Sequence, residues 1–333
     1  MAANKNRNKT NGGQEKQKAT LKKLLSTGAA LLVLLVAVVS LTVQNGGTLP
    51  TWEQLYAWFG VTELAPQLPE QAQDAATKIH FIDVGQGDSV LIEQDGCFAL
   101  IDAGDRDAED ALISYLQSVG VDKLSLLVMT HPHADHIGSM RAVVETFPVD
   151  TILLPDFTKA PMPTTATFTK LLEAVRKNGI KALTARVGDV FTLGSGTLTV
   201  LGDGVHTTNL NDLSLVTMFE ASGIRFFASG DGEKDVERAL LDSGADVSAT
   251  LYKAAHHGSS TSNTQELLEA VHPRVVVISC GKDNSYGHPH KEALEAYEAV
   301  QAKVFRTDEC GTVIAYVDES GLLQIAVTNR EAA

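Results

Sequence analysis

The sequence predicts an α/β domain standing behind a single N-terminal membrane-spanning helix. Three observations predict it. The chain has 333 residues, 44% hydrophobic and 20% charged, enough to bury a sizeable core and too apolar for a disordered protein. One run of twenty residues near its start carries no charge. Beyond residue 77, short apolar runs alternate with helical patterns, as expected of sheets covered by helices.

The uncharged run, Leu24–Val43, would span roughly 30 Å as a helix, the thickness of a bilayer's hydrocarbon core. Lys22 and Lys23 precede it, and residues 1–23 hold seven basic side chains against one acid. The basic tail is therefore expected in the cytoplasm, and everything after Val43 on the extracytoplasmic side of the cell membrane, as a single-pass protein. A cleaved signal peptide is the competing reading. The run exceeds the ~7–15 residues of a signal core, although Val38–Ser40 offers a cleavage match. Residues 44–77 read as a linker, with Trp52, Tyr56, Trp58 and Phe59 in a short interfacial helix and a proline-bearing polar stretch behind it.

The net charge is −14, and after Lys23 acids outnumber bases two to one. Such a surface repels phosphate backbones, so no stable nucleic-acid complex is expected. Cys97, Cys280 and Cys310 have no CxxC partner, and Cys97 and Cys280 lie in strand-like runs, which predicts buried free thiols.

Residues 78–333 form the main domain. Residues 78–84, 89–94 and 98–104 read as strands joined by a Gly-Gln-Gly turn and an Asp-Gly turn. A helical pattern over 108–120 and a buried strand over 124–130 follow. Next come a helix near 165–178, strands at 198–202, 214–220 and 224–230, a helix at 233–243, a strand at 249–255, a helix at 263–271 and a strand at 274–280. A helix at 291–301 and strands at 313–318 and 322–328 close the domain.

The segment His131-Pro132-His133-Ala134-Asp135-His136 follows a buried strand and is the strongest chemical signal. In an extended backbone alternate side chains share a face, so His131, His133 and Asp135 are expected in one cavity, with His136 entering from the start of a helix. Three imidazoles and a carboxylate suit one or two borderline divalent cations, zinc first and manganese next. Other candidates end later strands. Asp231 is placed to bridge two cations or to cap the helix after it. His256 and His257 are adjacent, so in a strand at most one would be a ligand, and Gly258 favours His257. His288 is a ligand or phosphate-contact candidate, and His290 a helix cap. Ser259 and Ser260 lead into a helix, either as a phosphate cradle or as part of a capping box of Ser262 with Gln265. His80, His206 and His272 stand alone and read as structural or solvated.

The ordered set FIDVGQGDS (81–89), LIDAG (100–104), THPHADHIG (130–138), NDLSLV (211–216), SGD (229–231), HHGS (256–259) and NSYGHP (284–289) resembles the metallo-β-lactamase superfamily, and within it the hydrolase domain of the ComEC competence proteins. The resemblance implies an αββα sandwich with two divalent metal ions at one edge of its sheets. It implies His131 and His133 on one ion, Asp135 and His136 on the other, Asp231 bridging, and His257 or His288 completing the second site. Asp83 and Asp102 would hold ligand imidazoles from behind, and Gly85 and Gly87 would form the turn beside them. Asn211, near where many members of the superfamily have a further histidine, would join Asp83 and Asp102 behind the ligands, and one apolar run cannot form the channel of the ComEC proteins.

The implied reaction is hydrolysis of a phosphodiester. Asp135 or Asp231 would orient the attacking water, and His256 or His257 would hand a proton to the leaving group. Ser259, Ser260 and Tyr286 would touch substrate. DNA is the first substrate class, which makes the chain a nuclease. Phosphodiesters of cell-envelope polymers, such as phosphocholine esters, are the second. A non-catalytic metal-binding subunit of a DNA-uptake system is the third reading.

Overall fold

Residues 70–329 other than Ser222, with a few positions between 36 and 47, are described by the structure, a computed structural model. The chain divides into two compact units, Met1–Leu64 and Ala65–Ala333. Most of the expected anchor Leu24–Val43, and the interfacial helix expected around Trp52–Phe59, lie outside the described residues. Among the described residues no helix is long and apolar enough to cross a membrane.

Within the second unit, the turn α1 (Glu70–Gln73) leads into β1 (Thr77–Phe81), so pairing begins one residue earlier than the sequence pattern predicts. β2 (Val90–Gln94) and β3 (Cys97–Ile101) form a hairpin whose turn places Asp95 and Gly96 at positive φ. Then come α2 (Glu109–Ser118), β4 (Leu124–Val128), α3 (Ala134–Ile137), α4 (Met140–Thr146), β5 (Val149–Leu154), α5 (Ala166–Lys177) and β6 (Lys181–Thr184). The second half supplies β7 (Val190–Leu193), β8 (Gly196–Asp203), β9 (Leu215–Ala221), β10 (Ile224–Ala228), α6 (Lys234–Asp242), β11 (Leu251–Lys253), α7 (Gln265–Val271), β12 (Val275–Ile278), α8 (Lys291–Ala299) and β13 (Lys303–Arg306). The turn α9 (Thr307–Cys310) precedes β14 (Val313–Val317) and β15 (Leu323–Val327), which return to the first sheet.

Eight strands make one sheet, in the order β15-β14-β1-β2-β3-β4-β5-β6, and seven the other, β13-β12-β11-β10-β9-β8-β7. The facing surfaces bury a common core that includes Phe81, Ile92 and Val128 from the first sheet and Phe219, Phe226 and Val277 from the second. Leu112, Val143 and Leu171 pack helices α2, α4 and α5 on the outside of the first sheet. Leu240, Leu267 and Tyr297 do the same for α6, α7 and α8 on the second. Each such side chain contributes roughly 1.5–3 kcal/mol by leaving water, which holds four layers in αββα order.

The patterning does not reveal β5, β6, β7 and β13. β6, β7 and β13 are four-residue edge strands with exposed positions, so no inward-outward alternation develops over enough residues to be read. Cys280 and Cys310 are buried free thiols, but Cys97, at the hairpin turn, is only half-buried. His80 is fully buried beneath α2, with Nδ1 2.8 Å from the Tyr115 hydroxyl.

Candidate metal centre

Each sheet contains parallel strands, β3 to β6 in the first and β10 to β13 in the second. The site residues stand just past the C-terminal ends of such strands: Asp102 after β3, His131 after β4, Asp231 after β10 and His257 after β11. Side chains from distant parts of the sequence meet there.

The segment after β4 is extended only as far as His133, which is the N-cap of α3. Asp135 therefore lies inside a short helix rather than in an extended run. The helical backbone brings its carboxylate toward His136, with Asp135 Oδ2 3.9 Å from His136 Nε2. His131 and His133 do share a side, with His131 Nε2 3.1 Å from His133 Nδ1.

Asp231 lies at the centre. Its Oδ2 is 3.2 Å from His136 Nε2, 3.6 Å from His257 Nε2, 3.7 Å from His256 Nε2 and 3.8 Å from His131 Nε2. It caps no helix: its backbone N–H donates to Ser214 Oγ at 2.9 Å, and Glu233 is the N-cap of α6. Asp135, His136, Asp231 and His257 bring one ligand atom each to within 4.8 Å of one another. His131 adjoins this set through Asp231, and His133 adjoins His131.

His256 and His257 are not in a strand. Both have positive φ, +50° and +54°, in a tight turn after β11, so strand alternation does not govern them. His257 is 1% exposed, with Nε2 3.3 Å from Asp135 Oδ2. His256 stands at the mouth, with Nδ1 3.1 Å from Thr261 Oγ1. His288 is one ring further out. It stacks on His257 at a 5.9 Å centroid distance, and the exposed Tyr286 stacks on it at 5.6 Å. Its ligand atoms are not part of the four-residue set.

Behind the ligands, Asp102 accepts from Thr130 N–H at 2.9 Å, from the Thr130 hydroxyl at 2.5 Å and from His136 Nδ1 at 2.8 Å. Asp83 does not share that role. It is exposed, and its Oδ1 accepts from Gly85 N–H in its own turn, because the buried neighbours Ile82 and Val84 take the inward positions and leave Asp83 facing solvent. The acid that reaches the cluster from this turn is Asp88, which no strand-end rule picks out. Its Oδ1 lies 3.3 Å from His257 Nδ1 and its Oδ2 pairs with the buried Lys253 ammonium. Gly87 lets the turn pass close: a Cβ there would meet Asp135 O at 2.4 Å.

Two further expectations are corrected. Asn211 holds no imidazole. Its Nδ2 donates to Glu233 Oε1 at 3.1 Å, while Ser214, three residues on, is the side chain that reaches His131 Nδ1, at 3.4 Å. Ser259 and Ser260 form no open cradle. Ser259 Oγ accepts from Thr261 N–H, and Ser260 N–H donates to His290 Nδ1. His290 N-caps α8 by position, without a side-chain capping bond. Helix α7 begins at Gln265 with Thr264 as its cap, not Ser262, and the N–H groups of Asn263 and Thr264 are already taken by Glu237.

The electrostatics follow from burial and proximity. Burial opposes charge on His257, but Asp231 and then Asp88 outweigh it and push its pKa up to about 10. His136 is likewise raised well above its ordinary value against burial, by Asp231, Asp102 and Asp135. Burial would raise Asp231, yet His136 and His257 hold it well below the usual carboxylate range. His131 is pushed well below its ordinary value, by burial first and His136 next. His288 falls to about 4, through burial and then His257.

A divalent metal fits these residues. His136 Nε2 and His257 Nε2 are buried and hydrogen-bonded to nothing, yet both face Asp231 Oδ2, at 3.2 and 3.6 Å. Imidazole nitrogens and carboxylate oxygens are the donor set of zinc and manganese sites, and a dication there satisfies both orphaned nitrogens at once.

Residues 82–282 match the family model described as metallo-beta-lactamase superfamily. The chain is 29% identical over 256 residues to "ComE operon protein 3" of Bacillus subtilis, covering 71% of this chain and 32% of that protein. It is 28% identical over 296 residues to "Competence protein ComA" of Neisseria gonorrhoeae, covering 85% of this chain and 38% of that one. The match thus spans about a third of the length of these curated relatives. Among solved structures, Igni18, described as a novel metallo hydrolase from Ignicoccus hospitalis, superposes with a TM-score of 0.50 at 16% identity, covering 72% of this chain and 98% of that one. The family model spans more than half the sequence, and the four-layer sandwich carries a clustered divalent-metal donor set at its strand ends: the chain belongs to the metallo-β-lactamase superfamily.

Proposed function

We propose that the chain is a metal-dependent hydrolase of phosphodiesters, with DNA as its substrate class and its catalytic domain held outside the cell membrane by Leu24–Val43. The observation that carries the hydrolase reading is the convergence of Asp135, His136, Asp231 and His257 on one space, with His131 and His133 beside it. The DNA reading draws support from the similarity to competence proteins.

Two divalent cations bound there would supply water activation and charge stabilisation at a phosphoryl group. His131 and His133 would hold one, and Asp135, His136 and His257 the other, with Asp231 shared. Asp135 and Asp231 would also orient the attacking water. His256, partly exposed and 3.7 Å from Asp231, is placed to exchange a proton with a leaving group. Tyr286 offers an exposed ring face, backed by His288, against which a base can stack.

The test uses the full chain stripped with EDTA and reloaded with zinc or manganese. Bis-p-nitrophenyl phosphate, single-stranded DNA and a phosphocholine ester serve as substrates. Metal-dependent turnover of the first two is expected, and Asp135→Ala should abolish it while the protein stays folded. A folded, metal-loaded and inert wild-type chain refutes catalysis. Turnover confined to the phosphocholine ester moves the substrate from DNA to envelope polymers.

A further inference from the structure

Lys253 and Asp88 lie beside the centre, and none of the ligand roles above uses them. Lys253 ends β11, is 2% exposed, and donates from Nζ to Ala254 O at 2.9 Å while pairing with Asp88 Oδ2. Asp88 is also 2% exposed. Its backbone N–H donates to Asp135 O at 3.0 Å, and its carbonyl accepts from Gly104 N–H at 2.7 Å. Its carboxylate lies 3.3 Å from His257 Nδ1 and 3.8 Å from His136 Nδ1. One residue thus adjoins three of the four clustered ligands.

We propose that Asp88 is a positioning residue for the second metal, clamped from behind by Lys253 so that His257 keeps Nε2 turned toward Asp135 and Asp231. The His257 ring can present either nitrogen. Its Nδ1 lies 2.9 Å from Ser279 O, which can only accept, and 3.3 Å from Asp88 Oδ1, so the ring that gives up one proton to a metal keeps the other on Nδ1 and presents Nε2. Asp88 Oδ1 makes no hydrogen bond of its own, so the carboxylate is not held by the histidine it faces. Lys253 holds it, and a buried carboxylate without that partner would be strongly destabilised. The same turn fixes Asp135 through the backbone, which links the two ends of the ligand set.

The proposal rests on the metal-centre reading, and the test separates the two. A bystander ion pair that only adjusts charge and a clamp that orients a ring make different predictions when net charge is kept constant. Two variants keep it: Asp88→Glu, which moves the carboxylate by one methylene, and the double variant Asp88→Asn with Lys253→Met. Zinc is titrated into the EDTA-stripped full chain against a chromophoric chelator, with thermal unfolding of the metal-free chains run in parallel. The wild type should bind two zinc ions. Both variants should bind the second at least about tenfold more weakly and leave the first unchanged. Either folded variant binding both ions as the wild type does overturns the positioning role, and each decides the matter if the other fails to fold. A wild-type chain that takes up no zinc overturns the metal centre itself.

Discussion

Replacing Asp102 by Asn changes one atom and tests how the centre is held. Asp102 is 1% exposed and uses both oxygens: Oδ1 for the Thr130 N–H, and Oδ2 for the Thr130 hydroxyl and His136 Nδ1. An asparagine has one oxygen. If that oxygen stays with Thr130 N–H, the new NH2 group faces His136 Nδ1, which must become an acceptor. The imidazole proton then moves to Nε2, the atom 3.2 Å from Asp231 Oδ2 that a metal would need. The lost charge-assisted hydrogen bond should cost about 1.5–3 kcal/mol of folding stability. The wrong tautomer should weaken metal binding by about 10–100-fold, or about 1.4–2.7 kcal/mol. Zinc competition titrations read the second quantity, and urea unfolding of the metal-free chain reads the first. Zinc affinity within about twofold of wild type would refute the claim that Asp102 sets the His136 tautomer.

Gly87→Ala forces a Cβ into Asp135 O at a φ of +149°, so about 1–3 kcal/mol of stability and the second metal's affinity should fall together, read by thermal unfolding and zinc titration. Burial lowers the His80 pKa, against a smaller upward pull from Glu93. The folded chain therefore binds this proton less readily than the unfolded chain, so the stabilisation is complete above about pH 6.5 and drains as pH falls toward the folded value, by up to about 1.4 kcal/mol per unit. Urea unfolding at pH 7.5 and 5.5 should show a smaller acid loss for His80→Gln than for wild type. Tyr286→Ala removes a side chain that is 64% exposed, so folding should hold within about 0.5 kcal/mol. KM for an oligodeoxynucleotide should nevertheless rise about tenfold in steady-state assays if a base stacks there.

Local spacing makes part of the centre legible. His131, His133, Asp135 and His136 occupy six consecutive residues after a buried strand, and no tertiary knowledge is needed to see that they gather. Asp102, Asp231 and His257 are legible for a similar reason, because each follows an apolar run and loops at strand ends carry chemistry. Asp88 and Asp83 show the limit. Both lie in one turn between two strands, and only the path of that turn past Asp135 decides which carboxylate faces inward. Neither Ser214, though it lies within the NDLSLV run, nor Lys253 is singled out by local spacing: one reaches His131 and the other reaches Asp88 across the space between the sheets.

The sequence by itself determined the alternation of strands and helices and the ligand-bearing loops, because hydrophobic periodicity and short-range spacing are written along the chain. Only the tertiary structure decided which atoms share a space, how Asp135 turns into a helix, and which buried charges stand behind the histidines. Those depend on pairings between strands far apart in sequence, and on backbone angles such as those of His256 and His257 that the packed sandwich imposes.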